Sequence, residues 1–497
     1  SSPQQFFDAV QPDSDRFPTI IDELQMHAVG CYSAQSSLKR LNRKAENSLL
    51  LAERMSVLAQ ILTGYHPHVT DLRDLWHTLC FLQFHDILAG SSIKEASDEA
   101  EQSYGHILHS AGEVINQAGR SIATRIDTSG KGSALILFNP FPHPLSQPVE
   151  YEPWTNWETW EKFGWNLVDN NGTPVPCQVI EERSALSTND FGFSRIVFHA
   201  SIPPLGYRVY HFDPSYPQVD IQNTIQISEN RLENKHLCII LDPETGEITS
   251  CLDKDSGMEM VGKDRWNSAL VLEDMSDTWS HQVTHYKKVI GAFKNARIKV
   301  MESGPIRASL LVERTYENST WLQQIILYEG SSKITIHNWL HWQGHWKMVK
   351  LAFDSPIQSP QSVHDIPFGW INRPCDGAEA PTQMWMDISG PAISDPTQTI
   401  GIGIINDGKY SCDVNDTTGR LSILRCPPYA HNTRSFEEPI DPFFELREKS
   451  RHDWIDQGEQ EFTIVLVPHT GSWQSAGIIQ SARELNMPIY PVTMHCH

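Results

Sequence analysis

The organisation of the chain follows from the stretch Phe84-His85-Asp86-Ile87-Leu88-Ala89-Gly90-Ser91-Ser92-Ile93. It joins two segments in which apolar residues recur at helical spacing, and this periodicity predicts one helix near residues 70–85 and another near 93–126. The apolar stripe of the first segment consists of Leu72, Leu75, Trp76, Leu79 and Leu82. The stretch is therefore interpreted as the connection between two neighbouring helices.

Two features predict that this connection is a rigid corner. Gly90 can adopt the positive φ that ends a helix, and Ser92 with Glu95 forms the pattern of a capping box at the start of the next helix. The corner carries an imidazole and a carboxylate side by side, those of His85 and Asp86. The pair is either a structural feature or a set of ligands held in place, and its spacing alone does not decide between these roles.

A third helix is predicted upstream, over residues 36–62, where one apolar stripe runs along the segment and Gly64 can end it. Short loops join the three helices, as in an antiparallel bundle, which we assign to residues 31–130. Basic residues of the upstream helix are interpreted as a solvated face: Lys39, Arg40, Arg43 and Lys44. Residues 1–30 form no obvious unit of their own.

Beyond residue 130 the hydrophobic period changes from 3.6 to 2, which indicates strands. The strands that begin with Ala134–Phe138 predict a small β-sandwich over residues 131–218. A long series of further strands predicts a large antiparallel β-sandwich over residues 219–497, with a last strand that is cut short. The predicted fold class is thus multidomain: a three-helix bundle, then a small β-sandwich and a large one.

The composition of the chain restricts the classes of molecule that it could bind and the cellular compartment in which we expect it. The 497-residue chain has a net charge of −22, which argues against nucleic acid or an anionic membrane surface as a partner. It contains no run of about 18 apolar residues that would span a bilayer. Nine cysteines without a C-x-x-C pair argue against a disulfide framework, so we expect a reducing, cytoplasmic setting. The composition leaves a homo-oligomer open.

The stretch from Gln83 to Ile93 resembles the middle-domain signature of the family 38 glycoside hydrolases, the class II α-mannosidases. Ala89 stands where the usual pattern has Pro, a change that touches no ligand. Segments of the β half also resemble that family, in the same order: Glu273–His281, Ile366–Pro374, Asn406–Tyr410, Leu424–Tyr429, Asp456–Gly458 and Pro468–Gly471. Any one segment is weak evidence, whereas the ordered set is strong.

The resemblance implies a retaining α-mannosidase with a catalytic zinc held by two Asp and two His. It makes His85 one zinc ligand and Asp86 a contact for sugar hydroxyls. It places the other ligands, the nucleophile and the acid/base in an N-terminal α/β domain that the 497 residues do not contain, with residues 1–30 as the tail of that domain. No catalytic residue is therefore expected in this chain, which alone should be inactive. The expected substrate is a mannose-containing oligosaccharide or glycoside.

Four further residues of the β half are candidate substrate contacts. Asp277, Trp279 and His281 lie in a polar, turn-like segment and either face the sugar or form a loop in which the Asp caps backbone N–H groups and the Trp packs inward. Arg425 ends a predicted strand, where it either anchors a substrate hydroxyl or a carboxylate of the absent N-terminal domain, or forms a structural ion pair.

Two alternative functions stay open on the sequence. One keeps the same chemistry and changes the substrate to mannosyl-glycerate or a phosphosugar, because aglycone selection depends largely on loops outside this chain. The other is a non-catalytic carbohydrate-binding or interaction module, against which the presence of His85 and Asp86 argues mildly.

Overall fold

The computed structural model describes residues 2–20, 28–66, 69–130, 132–153, 166–180, 195–213, 215, 221–430 and 453–495. Helices occupy the N-terminal part, and antiparallel β-sheets occupy most of the remainder. The predicted fold class is confirmed.

The first residues form α1 (Pro3–Val10) and a 3₁₀ helix (Gln11–Arg16), neither of which has a buried residue. A second 3₁₀ helix (Val29–Tyr32) leads into the bundle. A strand-like piece that the sequence indicates at residues 23–27 lies outside the described residues.

Three helices form the bundle: α2 (Ser36–Thr63), α3 (Val69–Leu82) and α4 (Lys94–Ala123). Their apolar stripes meet in one core that includes Leu49, Met55, Leu79, Tyr104 and Ile107. The helix α3 ends earlier than predicted, because Phe84 N bonds Phe81 O at 3.0 Å and Ile87 N bonds Phe84 O at 2.9 Å, as in successive turns.

The small sandwich pairs two sheets. Its first strands are β1 (Ser133–Phe138), β2 (Leu145–Tyr151), β3 (Asn166–Asp169), β4 (Pro174–Val175), β5 (Cys177–Ile180), β6 (Arg195–Ile202) and β7 (Tyr207–Asp213). The strand β1 is buried on both faces. Leu135 and Leu137 pack between the two sheets, whereas Ala134 and Ile136 pack against the helical bundle. Because successive side chains of a strand point to opposite faces, β1 contacts the helical bundle on one face and the second sheet of the small sandwich on the other.

The large sandwich consists of an 11-stranded and a 9-stranded sheet. Its strands are β8 (Gln226–Ser228), β9 (Arg231–Glu233), β10 (Leu237–Leu241), β11 (Ile248–Asp253), β12 (Met258–Glu259), β13 (Trp266–Glu273), β14 (Val289–Ala292), β15 (Lys294–Ser303), β16 (Arg307–Tyr316), β17 (Ser319–Tyr328), β18 (Ile334–Trp342), β19 (Lys347–Asp354), β20 (Gln361–Ile366), β21 (Gly369–Arg373), β22 (Ala380–Pro381), β23 (Trp385–Pro391), β24 (Thr399–Asn406), β25 (Ser411–Asn415), β26 (Thr418–Arg425) and β27 (Gly458–Thr470). The first sheet follows the order β22-β25-β26-β19-β13-β11-β10-β9-β8, with β12 beside β11 and β14 beside β13. The second follows β15-β16-β17-β18-β27-β24-β23-β20-β21. Apolar residues of both sheets fill the space between them, among them Trp266, Trp321 and Phe353.

The last two elements leave the large sandwich. The helix α5 (Ile478–Asn486) packs on the outer face of the 9-stranded sheet through Ile478 and Ala482. The strand β28 (Tyr490–His495) then pairs with β1 and completes the five-stranded sheet β28-β1-β7-β3-β4 of the small sandwich. The predicted extent of the large sandwich, residues 219–497, is therefore wrong at its end, because the last strand satisfies the free edge of β1.

The first turns of α2 dock on the large sandwich, so the predicted solvated face is wrong for Lys39 and Arg43, which are buried, whereas Lys44 is exposed. Arg43 is 5% exposed, and its Nε donates to the Tyr410 hydroxyl at 3.1 Å. Lys409 Nζ donates to Ser36 Oγ and to Ile423 O. The segment Asn406–Tyr410, one of those that resemble the family, thus fixes the bundle against the β domain.

In the part of the chain that the structure describes, none of the helices combines the length and apolar character needed to cross a membrane.

Candidate functional site

The corner between α3 and α4 presents both predicted side chains to solvent. The His85 side chain is 70% exposed and the Asp86 side chain 45%, with His85 Nε2 at 3.6 Å from Asp86 Oδ2. The Phe84 ring flanks the imidazole at a centroid distance of 4.2 Å. The imidazole is therefore accessible from outside the bundle.

The corner is rigid, although not through the predicted capping box. Ile93 is the N-cap of α4 and makes no side-chain cap. The Ser92 hydroxyl instead donates to Asp86 O at 2.8 Å, and Ser91 N donates to the same carbonyl at 3.2 Å. Ser91 Oγ also lies within hydrogen-bond distance of Asp86 Oδ1, at 3.4 Å. The two serines therefore hold the backbone that carries His85 and Asp86.

Lys39 of α2 supports the corner from the buried side. It is 3% exposed, and its Nζ donates to Leu88 O at 2.9 Å and to Ala34 O. Gly90 has a φ of +73°, and a Cβ there would lie 2.7 Å from Gln35 Cβ, so the corner fits closely on the segment that precedes α2. The interpretation of Lys39 as part of a solvated face is therefore wrong, and the sequence carries no local signal of these contacts.

Replacement of Lys39 by Met is expected to change how stability depends on pH. Burial lowers the pKa of Lys39 from 10.5 to about 8. Between these values the unfolded chain binds more protons at this residue than the folded chain, so this group increases stability as the pH rises. Wild-type stability should therefore rise by about 1–2 kcal/mol relative to Lys39→Met between about pH 7.5 and 9.5. Urea unfolding at the two pH values measures this difference.

The matched control is Lys299→Met, which removes a lysine from an exposed position of β15 and leaves the corner intact. It should keep the wild-type dependence on pH. If Lys39→Met also kept that dependence, the ammonium group would not be desolvated under the corner and the support described for it would be incorrect.

Arg425, at the end of β26, holds a loop formed by residues 274–282. The residue is fully buried, and its Nε and Nη2 contact Asp274 Oδ2 at 2.8 and 2.7 Å. Nη2 also donates to Ser276 Oγ and to Asp277 O, each at 2.8 Å. Of the two roles considered for Arg425, the structure shows the ion pair. Its burial removes the guanidinium from direct contact with a substrate.

The loop that Arg425 holds presents the other three predicted residues. Asp277 is exposed, and its Oδ1 accepts hydrogen bonds from Trp279 N at 3.1 Å and Ser280 N at 2.8 Å. The Trp279 indole and the His281 imidazole lie parallel, with a 1° interplanar angle and centroids 5.9 Å apart. Asp277 therefore caps the turn. The same loop carries a pair of stacked aromatic rings.

One connector links this loop to the corner. Gly30 N donates to Trp279 O at 3.2 Å, and a Cβ on Gly30 would lie 2.1 Å from Arg425 Nη1. A few residues further on, Ala34 and Gln35 lie against Gly90. Both groups of predicted residues are thus positioned by the segment between residues 29 and 35.

The described residues contain no group of three or more His, Cys, Asp or Glu side chains that could hold a metal ion. His85 and Asp86 together offer one imidazole and one carboxylate, whereas a protein zinc site has three or four protein ligands. The corner therefore supplies at most part of such a site.

Two family models match the chain. The model described as alpha mannosidase middle domain matches residues 26–122, and that described as glycosyl hydrolases family 38 C-terminal domain matches residues 232–433. The first match covers the bundle, and the second covers much of the large sandwich.

Curated relatives and a solved structure agree with these matches. Alpha-mannosidase 2C1 of Homo sapiens is 27% identical over 98% of this chain and 42% of its own length. Alpha-mannosidase G of Dictyostelium discoideum is 25% identical over 99% of this chain and 45% of its own length. The crystal structure of an alpha-mannosidase from Enterococcus faecalis V583 superposes with a TM-score of 0.78 at 16% identity, covering 100% of this chain and 62% of that one. The chain thus spans less than half the length of the two curated relatives.

Proposed function

Because this chain belongs to glycoside hydrolase family 38, of which it contains the middle and C-terminal domains, we propose that it forms one wall of the active site of an α-mannosidase. The remaining wall, with the nucleophile and the acid/base, would come from an N-terminal catalytic domain. The relatives that the chain matches extend well beyond the matched part.

The observation that carries this proposal is the exposed pair at the corner between α3 and α4. An imidazole that served the bundle core would be buried, whereas the His85 side chain is 70% exposed. The corner is nonetheless fixed by Ser91, Ser92 and Lys39. An accessible imidazole on a fixed backbone suits a ligand, because the segment that carries it does not have to be ordered when the metal binds.

In this proposal His85 supplies one nitrogen ligand to a zinc ion, and the adjacent Asp86 accepts a hydrogen bond from a sugar hydroxyl. Such an ion would supply Lewis-acid binding of sugar hydroxyls next to these two residues. The exposed nitrogen and carboxylate are donor types that zinc accepts.

The loop at 274–282 would contribute to the same cleft. Its stacked rings, Trp279 and His281, offer an apolar face of the kind on which a pyranose ring packs. Asp277 keeps its Oδ2 for a sugar hydroxyl while Oδ1 caps the turn. We assign a terminal α-mannoside as the substrate and a cytoplasmic setting.

Hydrolysis of p-nitrophenyl α-mannoside tests the proposal. The 497-residue chain alone should show no turnover and retain no stoichiometric zinc after dialysis, since one imidazole does not hold zinc tightly. A longer polypeptide that also contains the residues encoded upstream of Ser1 should hydrolyse this substrate and retain stoichiometric zinc. Turnover by the purified 497-residue chain, persisting after removal of any longer enzyme, would refute this division of the site.

A further inference from the structure

A second cleft lies between the bundle and the large sandwich. It encloses about 630 Å³ between α2 and the outer face of the strands β17, β18 and β27. This volume falls in the range of roughly 300–1,000 Å³ that is usual for small-molecule sites. None of the six residues predicted for the mannosidase site lines it.

The floor of the cleft is a flat row of side chains across three strands. Trp339 in β18 pairs with Leu322 in β17 on one side and with Glu461 in β27 on the other. Directly opposite residues of antiparallel strands point to the same face, so these three side chains form one continuous surface. Trp339 is 41% exposed although its neighbours in the strand are buried. A large indole therefore faces the cleft instead of the core.

Charged groups of both signs surround the indole. From α2, Arg40 lies 3.7 Å from Glu461 and 3.4 Å from Asp407. Lys44, one turn further along α2, has a pKa below its ordinary value because of desolvation and because Arg40 lies nearby. Glu459 of β27 and Glu101 of α4 add two further exposed carboxylates. The cleft is thus an aromatic platform bordered by hydrogen-bond donors of α2 and by carboxylate acceptors of β27 and α4.

The exposed indole and the charged groups of both signs together indicate which class of ligand the cleft could bind. The carboxylates disfavour a phosphate or another anion, and the two basic groups disfavour a simple cation. A neutral hexopyranose meets both requirements, because one face of its ring is apolar and its rim carries hydroxyls that donate to carboxylates and accept from Arg40 and Lys44. We propose that the cleft between α2 and β18 binds a neutral hexopyranose unit of a glycan, with Trp339 as the stacking surface.

Saturation-transfer NMR on the 497-residue chain with methyl α-D-mannopyranoside tests this proposal. Ring protons of the sugar should receive saturation, with a Kd of about 1 mM, which is ordinary for a single sugar. Trp339→Ala should strongly reduce the transfer, and Glu459→Gln should weaken binding about tenfold by removing one charged acceptor. This test needs neither zinc nor hydrolysis, and Trp339 lies outside the loop at 274–282, so the response of Trp339→Ala separates the cleft from the sugar contacts of the mannosidase proposal.

The matched control is Trp370→Ala, which removes an indole that is 48% exposed at the far edge of the same sheet. It should leave saturation transfer unchanged. Three results would overturn the proposal. The first is that the sugar receives no saturation from the wild-type chain at about 10 mM sugar, and the second is that it receives equal saturation from a Trp339→Ala variant whose urea unfolding midpoint equals that of the wild type. The third is displacement of the sugar by inorganic phosphate at the same concentration.

Discussion

Replacement of Arg425 by Met should destabilise the folded chain by about 3–5 kcal/mol, the usual effect of removing one partner from a buried ion pair. The guanidinium is 0% exposed, and its partner Asp274 is 3% exposed. Met fills much of the volume but leaves the Asp274 carboxylate buried without its cation. The loop carbonyl of Asp277 would lose a donor as well. Urea unfolding measured at neutral pH gives the difference in free energy.

Arg297→Met is the matched control for that measurement. The Arg297 side chain is 82% exposed and lies 3.7 Å from Glu313, so its loss should change stability by less than about 1 kcal/mol. Limited proteolysis provides a local readout, since the loop at 274–282 should become susceptible in Arg425→Met alone. A destabilisation below about 1 kcal/mol for Arg425→Met would mean that the pair does not organise the loop.

Replacement of His85 by Ala in the longer polypeptide should lower kcat/KM for p-nitrophenyl α-mannoside by at least about 100-fold. Loss of an outer-shell partner of a metal ligand already lowers affinity or activity about 10–100-fold, and loss of a ligand itself should exceed this. The side chain is 70% exposed at the corner, so its removal creates no cavity and stability should change little.

Two variants show whether such a loss is specific to the metal. Asp86→Asn should reduce turnover and keep the zinc, because Asp86 is assigned to the sugar. His77→Ala removes another exposed imidazole from α3 and should behave as wild type. If His77→Ala and His85→Ala lost activity equally, the effect would belong to the bundle as a whole and not to the corner.

Local periodicity was sufficient to predict most of the fold. The stripe containing Leu49 and Met55 predicts α2, and the run from Ala134 to Phe138 predicts a buried strand, which the structure packs on both faces. The pairing of β28 with β1 could not be predicted in this way. The two strands are far apart in the sequence, and neither contains a local signal that names its partner.

The same distinction between local signals and contacts distant in sequence applies to the candidate site. Helix-ending signals near Gly90 predict the corner that carries His85, and the structure exposes its imidazole. The run of basic residues predicts a solvated face that includes Lys39, whereas the structure buries this lysine against the carbonyls of Ala34 and Leu88, which no local pattern indicates. Arg425 is a similar case, because its partner Asp274 lies 151 residues away in the sequence.

The most direct test is the zinc content of the longer polypeptide after extensive dialysis, compared with its His85→Ala variant. We expect about one zinc ion per wild-type chain and essentially none in the variant, since His85 is assigned as a ligand of a four-coordinate site. Equal zinc in both proteins would contradict this expectation and would show that the exposed imidazole at the corner between α3 and α4 does not bind the metal.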